Sequence, residues 1–125
     1  YKTVSLEEFV EYSKSMFAYW TEDDFASSFR KMLTIEQFRS EEMQGLYQQY
    51  LSSGPAAYVK DLFESMGIAH AEKNAVRFYA MMYFYYSVYD GADDKEKVKN
   101  EFASAIGIMA QEWIKQPKLT QIRKS

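Results

Sequence analysis

Apolar residues recur along this chain at intervals of three and four, the spacing that gathers them on one face of an α-helix. Leu6, Phe9, Val10, Met16, Phe17 and Trp20 follow that rule. Ser5 and Glu8 ahead of them have capping-box spacing, which predicts a first helix opening at Ser5. Thr21 with Asp24 repeats the signal, and Glu22, Asp23 and Asp24 place negative charge at the positive end of a helix dipole. The second helix carries Phe25, Phe29, Met32 and Leu33 and is expected to fray through Ile35 to Phe38. Ser40 opens a third, with Met43, Leu46, Tyr47, Tyr50 and Leu51 along one side. The run from Ser52 to Pro55 is a break, with Pro55 suited to the first helical position, where its missing N–H costs nothing. A fourth helix presents Tyr58, Val59, Leu62, Phe63 and Met66, and Gly67 ends it as a left-handed residue. The fifth is predicted from about Ala71 to Tyr89, with Gly91 closing it the same way. Asp93 or Asp94 caps a sixth that runs to about Lys115, where Pro117 stops it ahead of a frayed tail from Lys118 to Ser125. No stretch alternates with period two, and the turn signals suit helix–helix links rather than hairpins. The pattern predicts an all-α antiparallel bundle of about six helices in one domain spanning residues 1–125.

Ala75 to Tyr89, AVRFYAMMYFYYSVY, breaks the one-faced pattern. It holds seven aromatics and two methionines, with Arg77 as its only charge. A helix that is apolar all round does not lie on a wet surface. Fifteen residues are also short of the roughly 20 that span a membrane. Each of its five tyrosines, if buried, calls for a hydrogen-bond partner. The reading that reconciles these demands is a central helix, covered on one side by its own domain. A second chain, a ligand cavity or both would cover the other.

Composition narrows the setting. The chain is long enough for one domain with a sizeable core, 47% of it hydrophobic. The absence of cysteine removes disulfides, thiolate metal sites and cysteine nucleophiles, and fits a reducing, cytoplasmic compartment. A net charge of −3 argues against a broad nucleic-acid footprint. The opening YKTVSLEEF carries acid where a signal peptide would be apolar. It also lacks an initiator methionine, which reads as a fragment or a trimmed chain.

Catalytic chemistry finds little support. His70 is the only histidine and falls in a turn, where a plain exposed residue is expected. The carboxylates at Glu7, Glu8, Glu22, Asp23, Asp24, Glu41 and Glu42 sit where helices start, and capping explains them. The chain has no Gly-x-Ser-x-Gly elbow, phosphate loop or dinucleotide fingerprint. No enzyme, metal or cofactor is expected.

The aromatic set carries more. The chain holds 11 tyrosines, 9 phenylalanines and 7 methionines, and few leucines, isoleucines and valines for its size. Taken singly, these are core residues at helical spacing. Taken together, Tyr12, Met16, Phe29, Tyr47, Tyr50, Tyr58, Tyr79, Met82, Tyr83 and Tyr86 could line an apolar pocket with scattered hydroxyls. A solid core is better filled by side chains without polar tips. Arg30 and Arg77 could meet an acid, but solvated surface positions are expected for both.

The last two helices offer a second-chain interface. The sixth has an apolar face of Val98, Phe102, Ala105, Ile106, Met109 and Trp113 beside a small-residue stripe of Ala103, Gly107 and Ala110, continued by Ile114. Glycine inside a helix often marks close backbone approach, which a neighbour in the same chain would satisfy equally well. The expected homodimer face comprises Phe78, Tyr85, Tyr89, Phe102, Ala103, Ile106, Gly107, Ala110, Trp113 and Ile114, packed two-fold as a four-helix interface.

In order and spacing, the chain resembles the C-terminal ligand-binding and dimerisation domain of tetracycline-repressor-type (TetR) transcriptional regulators. The residues that carry the likeness are FRKMLTIEQF (Phe29 to Phe38), then Ser40-Glu41-Glu42 and Leu46-Tyr47. They continue with Gly67-Ile68, Glu72, Ala75, Phe78-Tyr79-Ala80, Tyr83 and the closing helix ending at Trp113. The likeness runs from Ser5 to about Lys115. Many members carry a histidine four residues before an aromatic in the last helix, where this chain has Met109 before Trp113. The resemblance implies a homodimer that binds a small, largely apolar or aromatic effector. DNA would be read only through an N-terminal helix-turn-helix missing from this chain, and no membrane would be involved. Effector binding would shift the population between two arrangements of the bundle. The rival expectation is a helical interaction module that docks a partner helix and has no cavity.

Overall fold

The Ser5 hydroxyl accepts the Glu8 amide at 3.1 Å, and from there the chain enters α1 (Leu6–Glu22). The computed structural model describes residues 4–115. It continues with α2 (Asp24–Glu36), α3 (Glu41–Leu51), α4 (Ser53–Ser65), α5 (Ala71–Gly91) and α6 (Lys95–Lys115), and no strand occurs among the described residues. The fold is all-α. The expected stop at Pro117 and the tail beyond it lie outside the described residues. No helix among the described residues is long and apolar enough to cross a membrane.

Several helix ends follow the expected signals. Ser40 caps α3 by accepting the Met43 amide at 3.1 Å, and Asp94 accepts the Lys97 amide at 3.1 Å at the start of α6. Gly67 follows α4 with φ 75°, in the left-handed region that a side chain would disfavour. The Ile68 amide reaches back to the Phe63 carbonyl at 3.0 Å and the Gly67 amide to Glu64 at 3.1 Å, which together satisfy the last carbonyls.

Other ends differ from the sequence reading. Thr21 does not cap α2. It is buried inside α1, and its hydroxyl donates to the Phe17 carbonyl at 2.7 Å. Asp23 is the cap instead, accepting the Ala26 amide at 2.9 Å. Pro55 is the third residue of α4, not the first. That position still lies among the four leading amides with no partner in the helix, so proline fits there too. Gly91 is the last helical residue of α5 and has no positive φ. The Lys95 ammonium takes over the work of a glycine cap, donating to the Tyr89 carbonyl at 2.8 Å and to Ala92 at 3.3 Å.

α5 is the central helix and packs against α1, α4 and α6. The main core is aromatic. Phe9, Phe63, Phe78 and Trp113 meet edge-on or tilted, with ring centroids 4.7–6.3 Å apart, the arrangement that ring quadrupoles favour. Phe17 stacks on Phe102 at 4.2 Å further along. A smaller cluster of Leu33, Tyr47 and Leu51 seals α2 against α3. Within one protomer, α5 is covered over only part of its surface. Val76, Arg77, Ala80, Phe84 and Ser87 form an exposed stripe, so its apolar excess is divided between core and surface.

Arg30 also departs from expectation. It is not a solvated surface residue: only 5% of it is exposed. Its guanidinium donates to both carboxylate oxygens of Asp90 at 2.9 and 2.8 Å, and its Nε to the Trp20 carbonyl at 3.0 Å. Arg77 is exposed, as expected.

A candidate ligand cavity between α1, α4 and α5

Four helices line a half-open cavity of about 240 Å³. α1 contributes Phe9, Tyr12, Ser13, Met16 and Trp20, residues that share one helical face. α5 contributes Phe78, Tyr79, Met82 and Tyr86 from the opposite wall. The end of α3 and the start of α4 close the side with Gln49, Tyr50, Gly54, Pro55, Tyr58 and Val59. Among the described residues, no charged side chain lines it. Phe9, Val59, Phe78 and Met82 are buried and make the inner wall apolar, whereas Tyr12, Tyr50 and Tyr58 are exposed and rim the opening.

The α3–α4 corner depends on Gly54. A Cβ there would stand 2.1 Å from the Gln49 carbonyl oxygen, so only glycine lets α4 turn away this tightly. This close approach brings Tyr50 and Tyr58 to the same opening.

Each buried tyrosine is set differently. The Tyr79 hydroxyl donates to the Leu51 carbonyl at 2.5 Å. Tyr86 is 4% exposed, Phe17 stacks on its ring at 5.6 Å, and the Arg30 guanidinium lies 5.0 Å from its centroid. Its hydroxyl is hydrogen-bonded to no described residue. No buried side-chain polar atom of the described residues lacks a partner, so this hydroxyl opens onto accessible space, and Tyr86 lines the cavity. Burial pushes both phenols well above their ordinary pKa, with neighbouring tyrosines adding to the rise at Tyr79 and Arg30 opposing it at both. At the rim, partial burial and then the nearby Tyr58 hydroxyl raise Tyr12. The cavity is therefore neutral at ordinary pH.

Of the ten residues expected to line one pocket, seven line this cavity: Tyr12, Met16, Tyr50, Tyr58, Tyr79, Met82 and Tyr86. Phe29, Tyr47 and Tyr83 do not. Phe29 is held in the α2–α3 seam, stacked on Phe25 at 6.1 Å and edge-on to Tyr50 at 5.5 Å. Tyr47 and Tyr83 satisfy each other with a hydroxyl–hydroxyl bond that pins α3 to α5 outside the cavity. Burial, followed by the bond from Tyr47, pushes Tyr83 up to about 12. Sequence reasoning missed Phe9, Ser13, Trp20, Gln49, Gly54, Pro55, Val59 and Phe78 as lining residues. Helical spacing from Tyr12 and Met16 pointed to Phe9, Ser13 and Trp20, but the corner residues gave no such signal.

The expected dimer face changes more. Phe78, Tyr89, Phe102, Ile106, Ala110 and Trp113 belong to the protomer's own core and are not available to a partner. Tyr85, Ala103 and Gly107 are half-buried, and Ile114 is exposed. A Cβ on Gly107 would meet nothing within 4 Å, so no close contact among the described residues explains that glycine. Phe84 and Ile108, not singled out from the sequence, are 59% and 63% exposed. His70 is an exposed turn residue with φ 53°, and no group of three or more metal-ligating side chains occurs among the described residues.

Fold and site together define an all-helical bundle with an aromatic-walled, uncharged cavity beside its central helix. No family model, curated protein or solved structure matches this chain.

Proposed function

We propose that this domain binds a small, neutral, largely aromatic molecule in the cavity between α1, α4 and α5, and that it serves as the effector-sensing and dimerisation part of a TetR-like transcriptional regulator. The observation that carries the binding reading is the cavity itself. It opens about 240 Å³ of space beside a core that is densely filled with rings. An engineered apolar cavity of roughly 150 Å³ holds benzene, so this one has room for a two-ring or substituted one-ring molecule. The wall joins helices that are distant in the chain, so a bound molecule that prefers one arrangement of α1, α4 and α5 shifts the population toward it. In the regulator reading, DNA recognition lies in a helix-turn-helix outside this chain. The exposed Phe84 and Ile108 support a second copy docking on the outward faces of α5 and α6.

The test is thermal melting and calorimetric titration with indole and naphthalene, using Met82→Trp to fill the cavity. Saturable binding that raises the melting temperature of the wild type and disappears in a folded Met82→Trp variant supports the reading. If neither probe binds up to its solubility, the reading fails.

A further inference from the structure

We infer that the molecule this cavity takes carries one hydrogen-bond acceptor, such as a carbonyl, ether or ring nitrogen, on an otherwise apolar body, and that the Tyr86 hydroxyl donates its proton to that acceptor. The inference rests on the ligand-binding reading above and specifies its chemistry. Three polar side chains in the wall are buried: Ser13, Tyr79 and Tyr86. Two have already committed their protons, Ser13 to the Phe9 carbonyl at 2.8 Å and Tyr79 to the Leu51 carbonyl at 2.5 Å. Tyr86 has not, although 96% of it is covered (4% exposed). A buried donor left without a partner is costly, and a purely apolar ligand that filled the cavity would leave it in that state.

The surroundings favour donation to a neutral group. The Tyr86 ring is fixed by Phe17 and by Arg30, so its hydroxyl cannot swing away to find another partner. The Arg30 charge near the ring favours donation of the proton, and burial keeps the phenol protonated. Arg30 itself is engaged by Asp90 and the Trp20 carbonyl, which leaves no free cation among the described residues of the wall to receive an anionic ligand. Sites built to hydrogen-bond one ligand group discriminate strongly against the analogue that lacks it.

Acetophenone and α-methylstyrene make a matched pair of probes, one with a carbonyl oxygen where the other has a methylene. Calorimetry on wild type and Tyr86→Phe gives four dissociation constants. The expected result is about a five- to tenfold weakening of acetophenone in Tyr86→Phe, with α-methylstyrene unchanged or tighter. Unchanged α-methylstyrene binding also shows that the variant is folded. Should Tyr86→Phe not fold, the carbonyl stretch of acetophenone bound to wild type provides the readout, and a shift to lower frequency than in hydrocarbon solvent is expected. If both probes bind but respond equally to the substitution, or the carbonyl band does not shift, the assignment of Tyr86 is overturned while the cavity reading stands. If neither probe binds the wild type, both fall.

Discussion

Arg30 and Asp90, sixty residues apart in the chain, form a two-bonded ion pair that ties the middle of α2 to the last turn of α5. The arginine is buried and the carboxylate is half-buried, so water only partly screens the pair. It also places a guanidinium against Tyr86, linking the fixing of α2 to the wall of the cavity.

Asp90→Ala leaves that guanidinium covered and unpaired. A loss of about 2–3 kcal/mol in unfolding free energy is expected, below the value for a fully buried pair because Asp90 retains some solvent contact. Urea denaturation measures it. The double variant Arg30→Met with Asp90→Ala should recover most of the loss. If Asp90→Ala alone is as stable as wild type, the pair does not anchor α2.

Gly54 and Gly107 predict opposite signs for one substitution. Gly54→Ala drives a methyl into the Gln49 carbonyl, and a destabilisation of about 2 kcal/mol or more is expected. Gly107→Ala meets empty space inside a helix and should stabilise the isolated protomer by about 0.5–1 kcal/mol. Chemical denaturation of the two variants side by side checks both.

Association is tested on the outward faces of α5 and α6. Phe84→Glu and Ile108→Glu change exposed side chains and leave the core intact. Sedimentation should show wild type as a dimer and the double variant as a monomer with unchanged helical content. A wild type that sediments as a monomer at every concentration removes the second copy from the proposal.

Alkaline pH should act through the buried phenols. Below pH 10 the tyrosines are neutral in both folded and unfolded chains, and stability does not depend on them. Above pH 10 the unfolded chain loses these protons while Tyr79, Tyr83 and Tyr86 keep theirs, because their folded values are raised, to about 12 at Tyr83. The unfolded state then binds fewer protons, so stability falls as pH rises. The fall begins near pH 10 and continues past about 12. Tyrosinate absorbance followed with circular dichroism should show part of the phenol signal appearing only as the helices melt. Complete titration with the helices still intact would contradict the burial of these groups.

The helices were legible because their signals are local. Ser5, Ser40, Asp94 and Gly67 act within a few residues of themselves, and each does what its spacing foretold. Where a local signal met a tertiary demand, the demand prevailed. Thr21 turned inward into the core, and Lys95 capped α5 in place of Gly91. The aromatic set was legible as a set, since α1 and α5 each present one face to the cavity. Its membership was not, because the hydroxyl bond between Tyr47 and Tyr83 and the packing of Phe29 on Tyr50 join separate helices.

By itself, then, the sequence determined six helices, their short links and a surplus of rings for one domain to bury. Periodicity and capping are properties of neighbouring residues, and these features depend on nothing else. Only the tertiary structure decided which rings fill the core and which line a space. It sent Phe102, Ile106 and Trp113 inward rather than to a partner, and it buried Arg30 against Asp90. Those outcomes depend on how helices far apart in the chain meet, and on which donors and acceptors find each other there. No spacing along the chain encodes that.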